Sequence, residues 1–564
     1  MPSAVRLSPS AHVDTFTRDH LPPWPLWPVI EFTTPELVYP DRLNAAADLV
    51  DVPAETLGAD RPALRTPQGE TWTYGELRRK ANQVAQVLTE DLGLVPGQRV
   101  MLRSPNNPWT VAAWLGVLKA GGVVVTTMAA LRARELGPIA GRTKPCVALV
   151  DHRFADDARA VRDTVLPSMT VIAYGGDAAD DLTVRAAAKS GEFTNVATAA
   201  DDVALLAPTS GSTGIPKITM HFHRDILSID NTFGRHTLRL APDDVVACTA
   251  PLAFTFGLGM LVVFALRAGA CALLIEQATP AQLAGIVASE HVTVLATAPT
   301  AYKAILRDGL EGKLAGLRKA VSAGEHIPQG TWERLRDTIG LKVIDGIGAT
   351  EMLHIFITAA GDEIRPGATG KPVPGFRAAI LGPDGAELGP GEPGRLGVIG
   401  PVGCRYLDDE RQRNYVSGGW NLTGDVFYRD ADGYFYYQAR SDNMIVSSGY
   451  NIGGPEVEAA IDTHPDVLES AVVARPDTER GSVVCAFVVL RQGVSADAAK
   501  AKEIQEHVKS VLAPYKYPRD VRFTATLPRN ASGKLQHFAL RDIVEKEQAG
   551  TVRQAGTARK ESLA

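Results

Sequence analysis

Apolar and polar positions change period several times along the chain. Leu77, Ala81, Val84 and Leu88 recur at helical spacing, and Gly93 with Pro96 ends the run. The pattern then shortens into alternating elements: a strand at Arg99–Arg103, a helix at Trp109–Lys119, strands at Gly122–Thr127, Cys146–Asp151 and Thr170–Tyr174, and a buried-strand run at Val203–Ala207. A second series predicts strands at Val245–Thr249, Cys271–Ile275, Val292–Ala296, Arg318–Ser322 and Lys342–Asp345, with helices such as Pro280–Ser289 between them. Strands alternating with helices predict α/β layers with largely parallel sheets.

Around Pro366–Gly403 the character changes. Short β runs at Arg377–Leu381 and Gly394–Gly400 are separated by Gly/Pro turns, which predicts a small β-rich subdomain. A last unit begins near Ser441, with helix Pro455–Asp462, strands Ser470–Ala474 and Val483–Leu490, and helix Ala496–Leu512. The expected fold is therefore α/β, with a large N-terminal domain of two layered α/β subdomains plus the β-rich one, and a small mobile C-terminal α+β domain. The expected boundaries are a Pro-rich wrapping segment at 1–51, the large domain at 52–440, the small domain at 441–545 and a polar, disordered tail at 546–564.

Bulk properties narrow the classes. A chain of 564 residues exceeds one hydrophobic core. A net charge of −6 without a basic run argues against a nucleic-acid partner. The most apolar window, Leu258–Ile275, carries Arg267 at its middle and is punctuated by glycines, so a buried helix followed by a strand is expected, not a membrane span. The five cysteines lie far apart with no C-x-x-C and read as buried small residues of a reducing compartment. With no secretory pattern at the N-terminus, a cytoplasmic protein is expected.

Candidate chemistry begins where the strand at Val203–Ala207 empties into Thr209, Ser210, Gly211, Ser212, Thr213 and Gly214. Small hydroxyl residues alternating with glycines let backbone N–H groups approach an anion, and Lys217 adds a charge, which suits polyphosphate. The spacing is not that of a Walker A loop. Asp345-Gly346-Ile347-Gly348-Ala349-Thr350-Glu351 leaves a strand through two glycines into a hydroxyl and a carboxylate, a hard oxygen suited to Mg²⁺. Asp425 ends a Thr-Gly-Asp turn and could accept both hydroxyls of a ribose, as acidic residues of dinucleotide folds do. Arg440 and Asp442 border the last unit, Ser448-Gly449-Tyr450 follows, and Lys534 closes a Gly/Ser turn in LPRNASGK. His221 and His223 stand two apart just past the loop; packing or hydrogen bonding outweighs a metal pair there.

Taken in order, TSGSTGIPK, PLAFTFG, GIGATE, GWNLTGD, RSDNMIVSSGYNI and LPRNASGK resemble the adenylate-forming superfamily of acyl-CoA synthetases, peptide-synthetase adenylation domains and luciferases, over about Arg61–Arg541. SAGEHIP at Ser322–Pro328 and DGIGATEMLHIF at Asp345–Phe356 are similar to the benzoate-CoA and 2-aminobenzoate-CoA ligase branch, as is the opening SAHVDTFTRDHLPP.

The resemblance implies two half-reactions: ATP and a carboxylate give an acyl-adenylate and pyrophosphate, then a thiol displaces AMP. It implies ATP, Mg²⁺ and coenzyme A as partners of the chemistry, with an aryl carboxylate as substrate, 2-aminobenzoate favoured over benzoate or 2-hydroxybenzoate. A stand-alone adenylation enzyme loading a carrier-protein thiol is the alternative, and a monomer and a homodimer fit equally. By similarity, Thr209–Gly214, Lys217, Asp345, Gly346, Asp425 and Arg440 hold ATP, Thr350 and Glu351 handle the α-phosphate and Mg²⁺, and Lys534 is the catalytic lysine of adenylation. Asp442 falls at the hinge of the small domain, and Ser448, Gly449 and Tyr450 line the CoA tunnel. The acyl pocket is expected from Phe254, Ser322, Ala323, Gly324, Ile347, Gly348 and His354. Thr255 stands where amino-acid-adenylating relatives carry Asp, which disfavours an α-amino acid.

Overall fold

The protein was analysed as a computed structural model that describes residues 7–209, 215–324, 327, 329–440, 444–447, 450–477, 480–530 and 533–547. The α/β expectation holds. Among the described residues, the first sheet has the strand order Thr170–Tyr174, Val147–Asp151, Arg99–Ser104, Val123–Met128, Val203–Thr209, Lys217–Phe222. Its strands are parallel except the last, which runs antiparallel to Val203–Thr209. Helix Pro108–Lys119 starts at Asn107, whose side chain accepts the Thr110 N–H, and is buried almost all round. Helix Tyr74–Gln86 begins with a Thr73/Glu76 capping box, the start signal that its apolar spacing required.

A second sheet is built around parallel strands at Cys271–Leu273, Val245–Cys248, Val294–Thr297, Lys319–Ser322 and Ile344–Gly348, and Ile355–Thr358 turns back antiparallel on the last. The apolar window resolves as expected, into a helix from Thr255 to Arg267 and the strand Cys271–Leu273. No helix among the described residues is long and apolar enough to cross a membrane. Four stretches among the described residues are π-helical: Ala47–Asp51, Val87–Asp91, Asp230–Leu238 and Gly259–Phe264. Such turns carry an extra residue and displace the side chains beyond them.

Two compact units divide the chain. One comprises residues 1–379 and 397–423, the other 380–396 and 424–564. The expected change of domain at 440/441 comes later than this division, because the hairpin Trp420–Arg429 with Phe435–Arg440 already belongs mostly to the second unit. In that second unit, Val467–Asp477 and Gly481–Leu490 pair over their full length. Period-two alternation splits their side chains between two cores. Val472, Val484 and Val488 meet helices Gly454–Ile461 and Ala498–Val511, while Ala471, Val473 and Phe487 take Leu527, Leu540 and Val544 from the C-terminal segment. Residues 546 and 547 end the last helix, and the rest of the expected tail lies outside the described residues.

The N-terminal segment is anchored by hydrogen bonds from Ser8 and Ala11 N–H to Asp201 and Asp202, and by Trp27 in the first core. His221 and His223 are core groups. The Ala45 N–H donates to His223 Nδ1 at 3.1 Å, and burial pushes this imidazole down to about 3. Protonation at Nδ1 would set one N–H against another. A base whose pKa is depressed in the fold binds its proton only after unfolding, so its contribution is present above the ordinary pKa near 6.5 and is lost as pH falls. Between pH 6.5 and 4, urea midpoints should show wild type losing roughly 1.4 kcal/mol per pH unit more than His223→Gln, whose carbonyl can still accept the Ala45 amide.

Candidate active site

The Ser/Thr/Gly loop is closed at its base by a cross-strand pair, Thr209 opposite Lys217. Ser210, Gly211, Ser212, Thr213 and Gly214 lie outside the described residues. The exit is held by two arginines. Arg142 donates to the Pro216 carbonyl at 2.5 Å and Arg411 to the Ile215 carbonyl at 3.1 Å. Asp409 joins them, 3.1 Å from Arg142 and 2.6 Å from Arg411; burial alone would raise its pKa, but these partners carry it down to about 2. Thr209 leaves its hydroxyl buried with no hydrogen-bond partner among the described residues.

Lys217 reaches inward. Its Nζ donates to the Tyr406 hydroxyl at 3.0 Å, lies 3.7 Å from Glu351 Oε1, and sits over the rings of Tyr406 and Tyr415 at 5.0 and 6.0 Å. The Tyr406 hydroxyl donates to the same Glu351 oxygen. Burial first, and then the Glu351 charge, hold the phenol pKa far above its ordinary value, so it stays a donor. Glu351 is 8% exposed and rises on the short turn Thr350–Met352. The Thr350 carbonyl accepts from His221 Nε2 at 2.9 Å, and burial keeps His221 neutral, with its pKa near 4. Beneath lies a fully buried ion pair, Arg405 to Asp225 at 2.7 Å.

Glu351 therefore presents one carboxylate whose orientation is set by a phenol and a lysine. Mg²⁺ takes few protein oxygens and keeps several waters, so this donor set fits it. Tyr406, Tyr415, Arg405 and His221 have no motif of their own in the sequence; the alternation of Arg405 and Tyr406 about a strand-like segment is the only local sign.

On the other side of Glu351 the chain makes an uncommon turn. Leu353 has φ 64° and ψ −42°, and the His354 N–H donates to the Met352 carbonyl at 2.8 Å, which is a three-residue γ-turn with positive φ. A buried Leu there stores strain of order 1–3 kcal/mol. His354 follows, 3% exposed, with ring centroids of Phe264, Phe233 and Phe256 at 4.7, 5.1 and 5.4 Å. Burial pushes its pKa down to about 3. The Phe256 carbonyl slightly opposes that shift without making a bond of normal geometry, and neither ring nitrogen has a partner among the described residues.

Ser322 ends its strand beside Asp345 of the next parallel strand, and the carboxyl ends of such strands are where open α/β sheets offer their crevice. Ser322 is fully buried, and its hydroxyl has no partner among the described residues; Ala323 and Gly324 continue from it, while Glu325, His326 and Pro328 lie outside the described residues. Gly346, Ile347 and Gly348 pair with Thr358, Ile357 and Ile355. Phe254, half-buried, caps the helix that begins at Thr255.

In the second unit, Asp425 pairs directly opposite Arg440, with Nη1 3.3 Å from its carboxylate. Gly424 precedes it at φ 79°, a left-handed conformation that favours glycine, and a Cβ there would lie 2.9 Å from the guanidinium. Lys534 extends an exposed side chain from a turn locked by reciprocal bonds with Asn530, each 2.9 Å. Tyr450 opens a strand opposite Ser447; Asp442, Ser448 and Gly449 lie outside the described residues. His464, Asp466 and Glu503 also converge here, yet Lys500 donates to both carboxylates at 2.5 and 2.6 Å and the Asp466 N–H donates to His464 Nδ1. That cluster is a charge network already satisfied by its own lysine.

Two layered α/β sheets, a hydroxyl/glycine loop with its lysine, and a carboxylate suited to Mg²⁺ define a nucleotide-dependent ligase scaffold. Comparison with known proteins gives the family. The AMP-binding enzyme model matches residues 51–405 and the AMP-binding enzyme C-terminal domain model matches residues 456–534. The chain is 34% identical over 518 residues to a benzoate–CoA ligase of Thauera aromatica, covering 90% of this chain and 98% of that one. Among solved structures, it superposes on the anthranilate CoA ligase AuaEII in complex with anthranoyl-AMP with a TM-score of 0.86, 30% identity and coverage of 92% and 100%. A benzoate CoA ligase from Burkholderia xenovorans LB400 gives 0.81, 30%, and 88% and 100%. The chain belongs to the adenylate-forming AMP-binding enzymes, in the benzoate–CoA ligase branch, and is an acid–CoA ligase whose chemistry uses ATP, Mg²⁺ and CoA.

Removing the Tyr406 hydroxyl should loosen Glu351 without unfolding the site. A hydrogen bond to a charged group is worth about 1.5–3 kcal/mol, so Tyr406→Phe should raise the Mg²⁺ concentration for half-maximal AMP release about 10-fold or more, measured at a temperature where its melting curve shows the variant still folded. Unchanged Mg²⁺ dependence would discard this positioning role.

Proposed function

We propose that the enzyme activates an aromatic carboxylate, with 2-aminobenzoate favoured, as the aroyl-adenylate and transfers the aroyl group to CoA. The observation that carries this reading is the character of the expected acyl pocket. His354 is neutral, buried and boxed by three phenylalanines, and Gly346, Ile347 and Gly348 bring no charge to it. A flat slot for a ring follows from small residues beside an aromatic wall, and Thr255 offers no counter-ion for an ammonium. The relatives act in the same sense: one is a benzoate–CoA ligase, and another is a structure holding anthranoyl-AMP. Their acceptor is CoA, which favours CoA over a carrier-protein thiol here.

The residues divide the work. In this proposal the loop Thr209–Gly214 with Lys217 cradles the β,γ-phosphates, Asp345 and Gly346 border the nucleotide, and Asp425 receives the ribose hydroxyls with Arg440 orienting its carboxylate. Thr350 and Glu351 attend the α-phosphate and the metal ion, which when bound supplies positive charge to the phosphate oxygens. Lys534 stabilises the charge that develops as the carboxylate attacks phosphorus, the electrostatic part of phosphoryl transfer. The small domain then swings about Asp442, withdrawing Lys534 and bringing Ser448, Gly449 and Tyr450 to the pantetheine.

Two measurements test this. Lys534→Ala should lose adenylation by about 100-fold or more while still making thioester from supplied aroyl-adenylate; loss of both halves would sink the two-state assignment. Carboxylate-dependent AMP release across ortho-substituted benzoates should require CoA and peak on the 2-amino acid. A peak elsewhere corrects the substrate, and pyrophosphate exchange without CoA turnover transfers the case to a carrier protein.

A further inference from the structure

The His354 imidazole is held from behind by a residue that makes no claim on the eye in the sequence. A Cβ on Gly259 would lie 2.4 Å from His354 Cδ2, 2.8 Å from Nε2 and 3.2 Å from Phe264 Cε2. Gly259 opens the π-helical turn Gly259–Phe264, and it is the missing side chain that lets this helix backbone come down onto the imidazole. The ring is packed on three further sides. Phe256 lies nearly parallel to it at 25°, Phe264 meets it edge-on at 86°, and Phe233 closes a third side from the π-helical turn Asp230–Leu238. The backbone is pinned as well. The strained turn at Leu353 fixes where residue 354 begins, and a Cβ on Gly348 would strike the His354 carbonyl at 2.7 Å.

We propose that Gly259 is a positioning residue which, through His354, sets the ring substituents this enzyme accepts; the inference rests on the reading above that His354 lines the acyl pocket. Two neutral ring nitrogens, buried and unpartnered among the described residues, leave hydrogen-bonding capacity that an amino or hydroxyl group on the substrate ring can use. A site built around such a group discriminates between ring acids far more sharply than an apolar slot does, provided the group is held still. Close packing against a glycine is what holds it. A methyl at 259 drives the imidazole forward, because dense packing on its other sides transmits the displacement and does not absorb it.

The test compares wild type, Gly259→Ala, His354→Ala and the double variant on benzoate, 2-aminobenzoate, 2-hydroxybenzoate and 3-hydroxybenzoate, by AMP release at saturating ATP and CoA. Gly259→Ala should lower kcat/KM for the substituted acids about 10-fold relative to benzoate, mainly through KM, and leave the KM for ATP in place. In the His354→Ala background the same methyl should change those ratios by less than about 2-fold, since the group it displaces is gone. A methyl effect of equal size with and without the imidazole, or a uniform loss over all four acids, overturns the proposal. If His354→Ala alone leaves the ratios untouched, the pocket reading itself fails, a result separable from the first. Should Gly259→Ala not fold, Phe264→Leu gives the opposite test. Space behind the ring must move the ratios toward the bulkier acids, and unmoved ratios overturn the role.

Discussion

A buried carboxylate with two partners organises this molecule. Glu351 shares one oxygen between the Tyr406 hydroxyl and the Lys217 ammonium, and the lysine rests on two tyrosine rings. Each group would be costly to bury alone; together they satisfy one another, and removing any one leaves a charge or a phenol without its complement. The arrangement requires three chain segments to meet: the strand after the Ser/Thr/Gly loop, the turn after Gly348, and the segment at Tyr406. That last segment runs along the strand Lys217–Phe222, bonded at Met220 and Leu407. Its alternation sends Arg405 down to Asp225 and the rings of Phe222 and Trp27, and Tyr406 up to Glu351.

Some backbone strain and some unpartnered polar atoms lie close to this carboxylate. Leu353 holds a positive φ, the stretches Asp230–Leu238 and Gly259–Phe264 are π-helical, and Thr209, Ser322 and His354 keep polar atoms without partners among the described residues. Asp409, near the exit of the loop, is by contrast held between two arginines. Of the unpartnered groups, Ser322 ends a parallel strand, where open α/β sheets offer their crevice to a ligand. Asp225 by contrast is engaged with structure through one oxygen, which accepts from the Phe222 N–H and from Arg405.

Much of the architecture was legible before any coordinates. The strand at Thr170–Tyr174 and the helix at Pro280–Ser289 fall where the apolar period puts them, and the window Leu258–Ile275 is the buried helix and strand that Arg267 and its glycines implied. The loop, Glu351, Asp425 and Lys534 stood out as candidates for a different reason: each lies in a short stretch whose glycines and hydroxyls depart from either regular period. The strand Lys217–Phe222 was not anticipated as one, although His221 and His223 already showed its alternation.

The sequence by itself determined the elements, the order of the motifs and the family, because helix and strand periods, caps and turn chemistry are local and repeat within a few residues. Tertiary structure decided what holds those motifs in place. Lys217 and Tyr406 are 189 residues apart, Asp225 and Arg405 are 180 apart, and no local period links them. The glycine at 259 is the sharpest case. In the sequence it is one more small residue in an apolar helix, and its role exists only because the close packing of two distant segments sets its Cα against the ring of His354.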